Sequence, residues 1–158
     1  MPRPGAYVET TIPSFYFEQR HAPDIVAKRG WTRAWWEVAL ERYDLATSTY
    51  VLEELEKGPA HRRSEWRGLV DPVPLLGTSD RVESVAEEYI AKRVMPARGR
   101  DAFHLAVCSV HCCEYLVTWD VQHLANAHKF HQIRKLNEKL GLYVPIITTP
   151  LGLLGRLR

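Results

Sequence analysis

The stretch Asp101–Asp120, DAFHLAVCSVHCCEYLVTWD, constrains the fold more than any other part of the chain. It opens on an acid, continues as an apolar run of helical length, and closes as a short apolar strand ending on a second acid. The pattern predicts a helix over Asp101–Cys113 and a strand over Tyr115–Trp119. A helix feeding a strand is half of an α/β unit. In open parallel sheets, chemistry gathers at the carboxyl ends of the strands. Asp120 stands at such an end, and Asp101 opens the helix before it.

The same alternation runs along the rest of the chain. Strands are predicted at Ala6–Thr10, Leu45–Thr47 and Ile146–Thr148. Helices are predicted at Asp24–Tyr43, Ser48–Lys57, Ala60–Leu69, Ser79–Arg93 and Val121–Leu140. Gly30 can break the first of these, and His128–His131 can divide the last. Ser14–Arg20 is aromatic-rich and suits a helix start or a groove lining. Pro74 argues against a central strand over Val73–Leu76. Short strands separated by helices predict the α/β class. The expected architecture is a three-layer α/β/α sandwich around a mostly parallel sheet of four to five strands. A length of 158 residues suits one domain, taken as 1–150, with 151–158 as a C-terminal tail.

Composition narrows the class. With 46% apolar and 25% charged residues, the chain is a folded protein rather than a disordered one. A net charge of +2 neither requires nor forbids an anionic partner, because local patches matter more than totals. Cys108, Cys112 and Cys113 crowd one predicted helix in an odd number, which favours a reducing compartment over a disulfide framework. The N-terminus lacks the apolar core of a signal peptide, and no apolar run approaches a membrane span. A cytoplasmic protein is expected.

Four carboxylates stand where α/β sites form. Glu9 ends the first strand. Glu54 lies on the helix buried through Val51, Leu52 and Leu55; at about 100° per residue it falls on the flank of that face, while Glu53 points to solvent. Asp101 and Asp120 each precede a helix, and each taken alone suits a helix cap. Four acids gathered at one sheet edge are costly without a cation. Oxygen-only ligands favour Mg²⁺ or Mn²⁺, and such ions serve phosphoryl hydrolysis.

On these residues the chain resembles the PIN domain family, and within it the VapC-type toxin ribonucleases and their bacterial relatives. The resemblance rests on YVETTIPSFY, on Glu54 within SxxVLEEL, and on DAFHLAV…EYLVTWDVQHLANA. It implies Glu9, Glu54, Asp101 and Asp120 as the catalytic acids, with Glu9, Asp101 and Asp120 on the metal. Thr10, Thr11 and Asn126 are the implied supporting groups. The first acid of that family is usually aspartate; Glu9 has an arm longer by one methylene, roughly 1.5 Å. The implied function is metal-dependent endoribonuclease action as the toxin of a type II toxin–antitoxin system. RNA substrate, a small antitoxin protein and homodimerisation come with it. The alternative is a non-catalytic PIN-like module that binds RNA or protein.

Substrate phosphates need cations, and Arg98, Arg100 and the Arg62-Arg63 pair are candidates. Lys92 and Arg93 read as solvated surface. Tyr16 and Phe17 can stack on bases, whereas Trp119 suits core packing. Trp31, Trp35 and Trp36 form a candidate interface with at least one of them in the core. His104, Cys108, His111 and Cys112 share helical spacing, so a zinc site is conceivable, although packed core thiols are the plainer reading. No dinucleotide, P-loop or serine-hydrolase motif is present. A receiver-like phosphoacceptor domain is disfavoured, because Glu9 is the wrong acid and no lysine flanks Thr148.

Overall fold

Gly5–Val8 forms β1, the pivot of the sheet. The computed structural model describes residues 2–155. Thr11–Tyr16 follows as α1 and Pro23–Arg42 as α2. Pro23 sits in the first turn, where a helix has no use for its missing N–H. α2 runs through Gly30 without a break. One glycine costs a helix about 1 kcal/mol relative to alanine, and burial of Trp35, Trp36 and Ala39 outweighs that.

The chain continues through β2 (Asp44–Ala46), α3 (Thr49–Glu56), α4 (Ala60–Val70) and α5 (Asp80–Ala91). Then come α6 (Asp101–Val110), β3 (Tyr115–Val117), α7 (Ala127–Leu140), β4 (Ile146–Thr148) and α8 (Pro150–Leu154). The four strands lie in the order β2-β1-β3-β4 and pair in parallel throughout. This is the α/β/α sandwich that the alternation predicts. Val73–Leu76 contributes only an isolated bridge, Leu75 with Thr47. Among the described residues no helix is long and apolar enough to cross a membrane.

Strand alternation divides the core in two. Ala6, Val8, Tyr115 and Val117 face α1, α2 and α8, where Ile12, Trp35, Ala39 and Leu153 close the packing. Tyr7 and Leu116 face the other way, against α3, α5, α6 and α7. Trp119 belongs to the first core, and its indole N–H donates to Thr32 Oγ1 at 2.8 Å. Trp35 and Trp36 are core, while Trp31 is partly exposed and stacks on Trp119.

Several expected boundaries shift: α6 ends at Val110 rather than Cys113 and β3 at Val117 rather than Trp119, and two further changes are larger. The helix predicted from Val121 begins only at Ala127. Asp120 Oδ1 accepts the N–H of Gln122 at 3.2 Å and of His123 at 2.9 Å, which holds the chain in a turn. Asn126 then caps α7 by accepting the His128 N–H. His128–His131 lie within the unbroken helix. The stretch taken as a tail opens as α8, capped by Thr149 and packed on α2 through buried Leu153. Residues 156–158 of that stretch lie outside the described residues.

β1 and β3 are neighbours, yet β1 leads on to β2 on one side and β3 to β4 on the other. The crevice beyond their carboxyl ends is therefore the topological switch point of the sheet.

Candidate active site

Glu9 follows directly on β1 at this crevice and is 3% exposed. Its Oε1 accepts three hydrogen bonds: from the Thr11 N–H at 2.8 Å, Thr11 Oγ1 at 2.5 Å and Thr118 Oγ1 at 2.9 Å. Burial raises its pKa; the charge of His104 and the donors from Thr11 and Thr118 oppose that rise only in part. Thr11 Oγ1 also accepts the Trp119 N–H at 2.8 Å. Thr118 Oγ1 accepts the Asp120 N–H at 2.9 Å. One pair of hydroxyls thus ties the end of β1 to the end of β3.

Asp101 is the first residue of α6, with Arg100 at the N-cap, and its half-buried carboxyl lies beside Asp120. Its pKa is pushed up to about 8. Burial is the main cause, followed by a proton shared with Asp120 and then by the charges of Asp120, Glu9 and Glu54. Asp120, Glu9 and Glu54 therefore all lie within electrostatic reach of Asp101. Asp120 combines two roles, since its Oδ1 also receives the turn N–H groups of Gln122 and His123.

Glu54 arrives from α3 as the angular argument predicts: half-buried, with Glu53 exposed and paired to Arg100. Glu54 Oε1 accepts from Thr10 Oγ1 at 2.7 Å and meets His104 Nε2 at 2.5 Å. Burial pushes the Glu54 pKa up, but the bond and charge of His104, the Thr10 hydroxyl and Arg100 outweigh it, and the net shift is downward. Because Glu54 is ionised, Nε2 of His104 must be the donor. Nδ1 of His104 lies 2.7 Å from the Tyr7 hydroxyl, which lies 2.7 Å from Ser48 Oγ. A buried polar chain, Ser48–Tyr7–His104–Glu54–Thr10, thus runs from β1 through α6 to the crevice.

That chain settles the zinc alternative. Both ring nitrogens of fully buried His104 are in use, Cys112 is exposed, and Cys108 packs beside Cys113 as a free thiol. Among the described residues no three His, Cys, Asp or Glu side chains form a ready group for one ion. The oxygen donors still suit Mg²⁺, which keeps several waters and commonly binds through one or two carboxylates. Asp101 and Asp120 offer such a pair.

The remaining candidates scatter. Arg100 lies over the rings of Tyr50 and Phe103 and pairs with Glu53. Arg62 lies over Trp66 at 5.8 Å. Arg98 is exposed. Tyr16 is half-buried beneath the Arg33 guanidinium at 5.1 Å. Asn126 is engaged as a helix cap, and its Nδ2 donates to Gln122 O at 3.0 Å. The sequence does not single out Thr118, Tyr7 or Ser48 as site residues, and it places His104 in a packed helix without its link to Glu54. The available signal was polar atoms inside otherwise apolar elements: a hydroxyl two residues before Asp120, and a tyrosine in a buried strand.

No family model matches the chain, and comparison with curated proteins finds no match. Among solved structures, its fold is similar to that of VapBC2 from Rickettsia felis bound to a DNA fragment from their promoter. The TM-score is 0.61 over 92% of this chain and 98% of that chain, at 14% sequence identity, a likeness of fold alone.

Proposed function

We propose that this chain is a metal-dependent endoribonuclease, the toxin of a type II toxin–antitoxin pair. One observation carries the reading: Glu9, Glu54, Asp101 and Asp120 meet at the switch point of the sheet, and their crowding contributes to raising Asp101 to about 8. Such a cluster calls for a cation. The fold likeness to VapBC2, together with the sequence resemblance to VapC-type toxins, supports the toxin assignment.

Asp101 and Asp120 would hold Mg²⁺ or Mn²⁺, with Glu9 adding charge from beneath. A divalent ion there supplies charge neutralisation at the phosphate and an activated water. Glu54, fixed by His104 and Thr10, would accept a hydrogen bond in the crevice and so position a water there. Thr11 and Thr118 keep Glu9 facing the crevice. A small antitoxin, a homodimer and a cytoplasmic setting, consistent with three free thiols, complete the proposal.

The test is cleavage of single-stranded RNA by the purified chain with Mn²⁺. Wild type should cut, chelation should stop it, and Asp101→Asn should be inactive. Equal cleavage by both proteins would sink the reading. A non-catalytic binding module has one observation in its favour, the lack of a ready three-ligand group among the described residues. Calorimetric titration with Mn²⁺ separates the two: saturable binding that Asp101→Asn abolishes supports the enzyme, and no heat supports the module.

A further inference from the structure

We propose that the groove between α7 and the segment following α5 is the track along which a single-stranded nucleic acid backbone reaches the carboxylates. The inference deepens the nuclease reading and rests on it for the direction of the strand. Two hollows occupy this groove. The one nearer the crevice is lined by Arg93, Met95, His123 and Lys129 among others. His123 leads back to the site, since its N–H donates to Asp120 Oδ1 at 2.9 Å. The farther hollow is lined by Lys92, Val94, Gln132, Lys135, Leu136 and Lys139. Neither has an acidic residue in its lining.

The placement of the cations follows from helix geometry. Lys129, Gln132, Lys135 and Lys139 recur every three or four residues, which puts them on one stripe of α7. From Lys129 to Lys139 that stripe is about 15 Å long. Lys92 and Arg93 face it from the other wall, and Lys129 Nζ reaches the Arg93 carbonyl at 3.5 Å. Among the described residues none of these five cations forms an ion pair. Arg134, off the stripe, is neutralised by Glu138. The stripe ends where Leu140 borders a third hollow, lined by both Arg81 and Glu88.

Five unpaired cations facing one groove repel each other, and a row of phosphates relieves that repulsion. A small anion would meet only one or two of them; an extended polyanion meets all. Each phosphate so neutralised releases counterions, which makes binding salt-dependent. By sequence alone Lys92 and Arg93 are phosphate-binding candidates for which solvated surface is the plainer reading; the groove is the geometric reason to give them the nucleic-acid role instead.

The full chain is held in chelator, so that nothing is cut, and titrated with labelled single-stranded RNA and with DNA of the same sequence across a salt series. The triple variant K92Q/K135Q/K139Q should lower the slope of log affinity against log salt by about 2, and affinity near 0.1 M salt on the order of 100-fold. The loss should be comparable on RNA and DNA, because phosphates carry the contact. A control triple of equal charge, R42Q/K57Q/R81Q, at exposed cations outside the two hollows, should keep the wild-type slope, and neither triple should move the thermal unfolding midpoint. The proposal is overturned by wild-type affinity in the groove variant, by equal loss in the control, by loss on one strand type alone, or by salt-independent binding. Cleavage with Mn²⁺ is read separately. Groove-dependent binding without cleavage refutes the nuclease reading and leaves the track; cleavage with an unaltered groove variant does the reverse.

Discussion

Glu9 is a buried carboxylate whose Oε1 alone receives three donors. Its extra methylene relative to aspartate is accommodated by hydroxyls: Thr11 from the following turn and Thr118 from the end of β3. Thr118→Val keeps the shape but removes the donor to Glu9 and the acceptor for the Asp120 N–H. The first bond is buried and the second part-buried, so unfolding stability should fall by about 1–3 kcal/mol, and Thr118→Ser should recover most of it. Urea titration of the three proteins decides this; an unchanged valine variant would remove Thr118 from the site. His104 poses a similar problem one layer deeper, with Glu54 on one nitrogen and Tyr7 on the other. His104→Leu removes one hydrogen bond from each partner, leaving Glu54 only Thr10 and Tyr7 only Ser48, and should cost about 2–4 kcal/mol. Tyr7→Phe in the His104→Leu background should then cost less than alone, by a coupling of about 0.5–3 kcal/mol in a double-mutant cycle. Strict additivity would mean the two side chains do not act as one chain.

At the scale of elements, α5, α6 and α7 are joined by polar atoms as well as apolar ones. The Tyr89 hydroxyl lies 2.9 Å from Ser109 Oγ and 2.6 Å from Asn137 Oδ1. Asn137 Nδ2 donates to Ser109 Oγ and to the Tyr143 carbonyl. Burial drives the Tyr89 pKa up to about 12, so it remains a donor throughout the working range. Asn137→Leu strands the Tyr143 carbonyl and should destabilise by about 2 kcal/mol, with faster amide exchange in α5 and α7 as the local signature. Protection unchanged in both helices would show the network to be incidental. None of this was legible in the sequence, where Asn137 is one polar residue on a charged helix. What was legible was periodic: the helix faces, the strands, and the separation of Glu53 from Glu54 by 100° of turn. The start of α7 misled because VQHLANA has helical composition. Side chains of Asp120 and Asn126 compete for the backbone there, and local hydrogen bonding prevails over propensity.

For the whole molecule, the decisive fact is sheet order. Nothing local in GAYV or YLV says that β1 and β3 are neighbours, 109 residues apart at the Glu9–Thr118 bond. Each acid could be placed at a strand end or helix start from the sequence, but their convergence depends on that pairing. Convergence also has a consequence for global stability. Asp101 titrates at about 8 in the fold against an ordinary 3.8, so the folded chain holds a proton that the unfolded chain has lost. Unfolding stability therefore falls as pH rises from about 4 to about 8, and the loss is complete above that window. On the proposed reading a divalent cation supplies the missing charge and should reverse the loss where it is largest. In chelator, the melting temperature should be lower near about pH 9 than near about pH 6, with Mg²⁺ raising it more at the higher pH. Asp101→Asn carries no titrating carboxyl at that position, so its profile should be flatter and its response to Mg²⁺ weaker. Parallel profiles for wild type and Asp101→Asn would mean that the cluster does not titrate as a unit, and the case for a cation among these four acids would lose its physical basis.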